Sequence, residues 1–347
     1  MDDLRIAEKN DLGTDRGRGN LLGIEPYITP LDYASQTSLY AKLDGYLSVA
    51  RGLGWINEKT IVVWPEYIGT WLVLADESPS LYQVQTMAAA ETKLVFRHLF
   101  PFIWYWLTAK EKSRQEAAFF RIKAKRMAEI YNAVFSDLAR SYSITIAAGS
   151  IVLPEPSIAN GQVKAGRGAL YNAGAVFGPD GTVYPTILRK AFPTSEELPF
   201  TTPAPVDDIP AFDTKAGRLG VLICADSWFP DAYARLKNLN VDFMLVPSFE
   251  IGSLGSWNQP WQGYNGWPAP ADVNPQDVGK LTEGEAWFKY ALAGRIAEAG
   301  AQHGVNVFLR GALWDQKFDG GRTTVIGDRQ VMKETASEGA SLNNLWL

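Results

Sequence analysis

Three residues of contrasting chemistry stand at the ends of apolar, strand-like runs: Glu66 after TIVVWP, Lys190 after the run that ends in ILR, and Cys224 after RLGVLI. A rigid scaffold presents side chains to a cleft at strand ends, which suits catalysis. A thiol is a strong nucleophile only as the thiolate, so Cys224 needs a base. No histidine is near it in sequence, and a glutamate in a partly buried site has a raised pKa and can take that proton. A lysine beside the pair supplies fixed positive charge, which favours the thiolate and stabilises an oxyanion. The chemistry these residue types could perform together is nucleophilic attack by a thiolate, with a carboxylate as base and an ammonium to stabilise the oxyanion.

Elements of two kinds must position them. Strand candidates are LLGIEPYI from Leu21, Thr60 to Trp64, Ile144 to Ile151, Arg218 to Cys224, Val241 to Pro247, Val305 to Arg310, and a last strand at Thr323 to Ile326. Tyr171 to Phe177 and Thr182 to Leu188 flank Gly178-Pro179-Asp180-Gly181, a hairpin signal in which Pro sets φ and Gly permits φ > 0. Helical spacing runs over Leu39 to Leu53, over Lys110 to Tyr142, over Pro230 to Leu239 and over Glu283 to His303. Strands and helices alternate, which predicts an α/β fold with sheets packed between helices. Residues 1–20 are charged and aperiodic and read as a flexible arm. The span 21–335 reads as a single domain, and 336–347 as a C-terminal tail.

With 347 residues the chain can bury a large core. A net charge of −5 argues against a nucleic-acid binder, which carries a basic field. A single cysteine excludes an intramolecular disulfide and a Cys-based zinc site, and fits a reducing, cytoplasmic setting. The two histidines, His98 and His303, sit in no recognisable motif and read as structural. The most apolar segment, Leu94 to Leu107, is too short to span a bilayer and carries Arg97, His98 and Pro101. A helix packed within the fold or in a dimer is the expectation there, and a soluble protein overall.

Local context sharpens the three candidates. VVWPEY sets Glu66 directly after a proline, LRKAFPTSEE sets Lys190 after Arg189, and GVLICADSWFPD sets Cys224 at a strand end followed by a turn. This pattern resembles the nitrilase superfamily, the carbon–nitrogen hydrolases, whose Glu, Lys and Cys occur in that chain order in contexts like P-E, R-K and G-x-x-I-C-x-D. GAVFGPDGTV resembles the family's hairpin before the lysine, and residues 313–326 its closing strands. The likeness covers roughly 20–330, and its three motifs in order and spacing make it specific. It implies a four-layer α-β-β-α sandwich without metal or cofactor, usually dimeric through helices near the cysteine. It implies Cys224 as nucleophile and Glu66 as general base and proton shuttle. Lys190 would stabilise the tetrahedral intermediate together with the backbone N–H of Ala225. It also implies a second glutamate, Glu197, to orient substrate or tune Lys190, with Glu196 adjacent to it.

Other residues have competing readings. Asp226 suits hydrogen bonding within the turn that holds Cys224. Trp228 and Tyr67 are candidates for lining a substrate pocket, with packing the competing reading. The loop at 253–270 holds WNQPWQGYNGWPAP, an aromatic lid over the acyl site or a packed surface or interface loop. The stretch from about 76 to 112 is longer than the family needs and reads as an insertion. The leading expectation is hydrolysis of a small amide or carbamoyl compound, because nitrilases carry Trp-Glu after the cysteine where this chain has Ala225-Asp226. KAFPTSEE, in contrast, resembles the lysine segment of nitrilases, so conversion of an aromatic nitrile to acid and ammonia is the alternative. A catalytically silent binding member and a membrane-associated acyltransferase are the remaining classes.

Overall fold

The computed structural model describes residues 3–253, 255–327, 330–333 and 338–347, with 330–333 described by backbone alone. Two six-stranded sheets dominate. The first runs, edge to edge, Ile6–Leu12, Ala340–Trp346, Asn20–Glu25, Thr60–Val63, Thr145–Ala147, Val176–Phe177. The second runs Ala211–Asp213, Arg218–Val221, Phe243–Ser248, His303–Phe308, Thr324–Gly327, Gln330–Lys333.

The central strands of both sheets pair in parallel and are largely buried on both faces, which is why Thr60–Val63 and Phe243–Pro247 read as continuous apolar runs rather than alternating ones. The two faces nonetheless sort by the period of two. Leu22, Ile24, Val62 and Ile146 join the core under the helices Gln36–Gly52 and Ala124–Tyr142. Leu21, Ile61, Val63 and Ala147 join the core shared with the second sheet. The sheets approach closely at Gly23, where a Cβ would stand 2.6 Å from Val305 Cγ1 and 2.7 Å from Val307 Cγ1. On the far side the second sheet is covered by Pro230–Asn238 and Glu283–Tyr290, which bury Tyr233, Leu236, Ala286 and Trp287. The order helix, sheet, sheet, helix is the α-β-β-α sandwich expected.

Several expectations fail at the chain ends. Residues 6–12, placed in a flexible arm, form an edge strand. Residues 340–346, placed in a tail, form a strand inserted beside it in the first sheet. Their polar composition hides this, because side-chain amides bond across the ladder: Asn10 Nδ2 donates to Asn343 Oδ1 at 2.9 Å, and Asn344 Nδ2 to Asp11 Oδ1 at 2.8 Å. The strand at 324–327 is therefore not the last. The long helix expected over 110–142 is two helices, Arg114–Ile122 and Ala124–Tyr142, broken at Lys123. Lys123 Nζ reaches Glu77 Oε1 at 2.6 Å. The helix expected over 283–303 stops at Tyr290, and short turns lead to the strand from His303. Of Thr182 to Leu188, only Val183 bridges back to Phe177. Leu188–Arg189 pairs instead with 173–174.

The stretch 76–112 holds three helices, Pro79–Tyr82, Met87–Arg97 and Leu99–Thr108. The last buries no residue fully: Phe102 packs edge-on against Phe119 with ring centroids 5.3 Å apart, while Phe100 and Trp104 are 85% and 65% exposed on its other side. Among the described residues no helix is long and apolar enough to cross a membrane.

Candidate active site

The three strand ends converge. Glu66 follows the strand Thr60–Val63, and the turn beyond it is tight: Tyr67 has φ +63° and its N–H donates to Ser150 Oγ at 2.9 Å. The chain passing opposite is Gly149 at φ +60°, where a Cβ would lie 2.0 Å from the Pro65 carbonyl oxygen, so only glycine lets the two segments approach. Lys190 follows Leu188–Arg189, its N–H bonded to the Asn172 carbonyl at 2.9 Å. Cys224 opens a 3₁₀ turn, Cys224–Trp228, with φ +48°. A non-glycine residue held there is strained by roughly 1–3 kcal/mol, a cost that persists where surrounding structure over-determines it.

Asp226 supplies that constraint. Its carboxylate accepts the N–H groups of Ala191 at 2.9 Å, Phe192 at 2.8 Å and Ile223 at 3.3 Å, tying the lysine loop to the cysteine turn. The expected role within the cysteine turn thus extends to a second segment. Burial pushes its carboxyl up to about 7, against the pull of Lys190 and the three N–H groups.

Lys190 Nζ sits between two carboxylates, 2.7 Å from Glu66 Oε1 and 2.5 Å from Glu197 Oε2, all three side chains buried. Glu197, not Glu196, is the second glutamate of this cluster. Glu196 is exposed and bonds Ser195 and Asn265. Tyr67 Oη donates to Glu197 Oε1 at 2.5 Å and the Thr194 N–H to Glu197 Oε2 at 2.8 Å. Burial works to raise the Glu197 pKa, but Lys190 and these donors hold it below the usual carboxylate range. Glu66 is pushed up to about 7, by burial first, with Lys190 opposing and the Glu197 charge adding. Burial and the Glu66 charge drive the Cys224 thiol well up, with Lys190 opposing. The resting thiol is thus neutral, beside a carboxylate poised near neutrality. Moving its proton to Glu66 keeps the cluster's net charge at −1. Lys190 itself stays charged: burial disfavours its ammonium, but the two glutamates outweigh it.

Cys224 stands where two cavities meet. One of about 670 Å³ is lined by Glu66, Tyr67 and Lys190 and has an apolar floor of Trp71, Leu74, Leu94, Phe119 and Phe318. The other, about 470 Å³, is lined by Ala225 and Trp228 and by Trp261 and Tyr264 of the Trp-rich loop. The loop thus packs over the cysteine side of the site. Of its three tryptophans, Trp261 lines the smaller cavity. Trp257 packs on Trp287 and Phe308, and Trp267 donates to the Pro193 carbonyl at 2.7 Å. His98 lies away from this site, bonded to Glu77 Oε1 at 2.8 Å.

Sequence reading missed Asn172. Its Nδ2 donates to Glu66 Oε1 at 2.8 Å and to Glu197 Oε1 at 2.9 Å, bridging the two carboxylates. The signal was available: a buried amide in the otherwise apolar strand Leu170–Gly174. Asn172→Leu is expected to cost about 1–3 kcal/mol of stability, because two buried carboxylates each lose a donor. Losing a bond to the charged form also raises the Glu66 pKa, so the acid limb of kcat/KM moves to higher pH. Urea unfolding and a pH profile check both; a variant matching wild type in both would remove Asn172 from this role.

Residues 60–269, more than half of the chain, match the family model described as Carbon-nitrogen hydrolase. The chain belongs to the carbon–nitrogen hydrolase family. That span includes Glu66, Lys190, Glu197 and Cys224, and this hydrolase also shares its fold with solved members. A double mutant of the amidase from Nesterenkonia sp. AN1 in complex with acrylamide superposes with a TM-score of 0.55 at 15% identity, covering 96% of this chain and 93% of that one. A mutant of the same amidase, with the acetamide moiety of fluoroacetamide added covalently at the active site cysteine, gives 0.53 at 16%, covering 96% and 93%. The carbon-nitrogen hydrolase from Helicobacter pylori G27 gives 0.54 at 16%, covering 94% and 88%. At such identities the likeness is one of fold. No curated protein matches this hydrolase.

Proposed function

We propose that this hydrolase cleaves the C–N bond of a small amide or carbamoyl compound through a thioester on Cys224. The observation that carries the reading is the Lys190 ammonium clamped between Glu66 and Glu197, beside a strained cysteine turn at the meeting point of two cavities. Glu66 takes the thiol proton as Sγ attacks the carbonyl carbon, and the carbonyl π pair moves onto oxygen. Lys190 and the Ala225 N–H stabilise that oxyanion. The C–N bond then breaks, the amine leaves with the proton held by Glu66, and a thioester remains. Glu66 next deprotonates a water, which attacks the thioester. The acid departs and Cys224 regains its proton. Tyr67 and Trp228 help to hold the substrate.

The amidase that shares this fold, solved in complex with the amide acrylamide, supports the amide reading. The nitrile reading keeps one specific support, the segment KAFPTSEE around Lys190. Paired amide and nitrile substrates of the same acid, assayed for ammonia and acid release, separate the two. The amide is expected to turn over faster, and turnover of the nitrile alone would reverse the assignment. A homo-oligomeric assembly is also proposed, and a cytoplasmic setting in which the lone cysteine stays reduced.

A further inference from the structure

The smaller cavity touches Cys224 and Ala225 but neither Glu66 nor Lys190. A leaving amine must collect its proton from Glu66, so it belongs in the larger cavity, which Glu66 lines. The smaller cavity is then the room available to the acyl chain.

Its walls combine features that a neutral chain would not use. Trp228, Trp261 and Trp287 form an aromatic wall, with Trp228 4.9 Å from Trp287 and 5.8 Å from Trp261 between ring centroids. Two carboxylates, Glu250 and Glu283, line the same space, and no Lys, Arg or His does. Glu250 is half-buried at the wall of this cavity, and among the described residues its carboxylate has no hydrogen-bond or ion-pair partner. Burial, then the charge of Glu283, pushes it up to about 8, and burial pushes Glu283 up to about 6. Two half-buried carboxylates that share one cavity, with no cationic side chain lining it, leave their charge uncompensated by the protein. A cation supplies the missing partner, and indole faces attract one through their quadrupole.

We propose that this cavity binds a cationic group, an ammonium or guanidinium, at the end of the substrate's acyl chain. The proposal rests on the amide-hydrolase reading and adds the class of substrate to it. The larger cavity takes the leaving amine; Glu250 lines both cavities, and Glu283 is the carboxylate that lines the smaller one alone.

Three amides of matched length test it: ω-aminopentanamide (cationic), hexanamide (neutral) and adipamate (anionic). The expected kcat/KM for the cationic amide is at least about tenfold above hexanamide, with adipamate poorest. Glu250→Gln and Glu283→Gln should each lower the cationic-to-neutral ratio by about tenfold. Hexanamide cleaved as well as the cationic amide, or a ratio untouched by both substitutions, would overturn the proposal and leave amide hydrolysis standing. Binding is tested apart from hydrolysis by titrating pentylammonium into Cys224→Ala protein and following tryptophan fluorescence. A saturable change, lost in the Cys224→Ala/Glu250→Gln double variant, supports the cation site even if none of the three amides is cleaved. Absence of any change overturns it.

Discussion

Glu66→Gln is expected to lower kcat/KM for amide hydrolysis by about 10²–10⁴-fold while the protein stays folded. Gln keeps the shape and the hydrogen bond to Lys190 but cannot accept the Cys224 proton. Lys190 remains paired with Glu197 at 2.5 Å, so the substitution strands no charge. The wild-type pH profile follows from the same group. Glu66 must be ionised to act as base and titrates at about 7, so activity falls about tenfold per unit below that pH and levels above it. In the Gln variant that acid limb disappears from whatever rate remains. Stability moves the opposite way. The folded pKa is raised above its ordinary 4.5, so stability is fully present below about 4.5 and is lost as pH rises through about 7. Glu66→Gln is expected to be as stable as wild type or more so at pH 8. Steady-state rates and urea midpoints over pH 5–9 measure both trends. A variant that keeps the wild-type rate and acid limb would remove Glu66 from the role of base.

Lys190→Met carries the largest expected effect on stability, a loss of about 3–5 kcal/mol, together with loss of turnover. Lys190 is buried, and its removal leaves Glu66 and Glu197 as like charges joined only through Asn172. Two carboxylates so placed cannot both ionise cheaply, so at least one takes up a proton and its folded pKa rises above its unfolded value. Stability gained from such a group is complete at low pH and lost as pH climbs through the raised pKa. The destabilisation of Lys190→Met should therefore be smaller at pH 5 than at pH 8. Adding Glu66→Gln, which removes one of the two charges, should recover part of it. Urea midpoints of both variants at the two pH values decide the matter. Equal losses at pH 5 and 8, with no recovery in the double variant, would mean that packing rather than charge accounts for Lys190.

How much of this was legible in sequence depends on the range of the interactions. The ends of buried strands are marked locally, since an apolar run that stops at Pro65-Glu66, Arg189-Lys190 or Ile223-Cys224 places a polar side chain at a cleft whatever lies elsewhere. The helix Gln36–Gly52 and the hairpin turn at Gly178–Gly181 were readable for the same reason: both are closed by bonds between near neighbours. The terminal strands were not readable. Ile6–Leu12 and Ala340–Trp346 lie more than 320 residues apart and are held by amide ladders that leave no apolar alternation.

The site divides along the same line. Residue type and spacing marked Cys224, Glu66 and Lys190 as the proposed nucleophile, base and cation, because each stands as a polar side chain at the end of an apolar run. The resemblance pointed to Glu197 with Glu196 beside it, and the tertiary structure sets Glu197 against Lys190; tertiary structure alone decided that Asn172 bridges the carboxylates and that Glu250 and Glu283 share an aromatic cavity with Cys224. Adjacent residues such as 196 and 197 are equivalent in composition and differ only in the direction their side chains take. Which way they point, and whether a carboxylate ends beside an ammonium or against indole rings, is set by the packing of distant segments. That packing also sets the pKa values on which the chemistry runs.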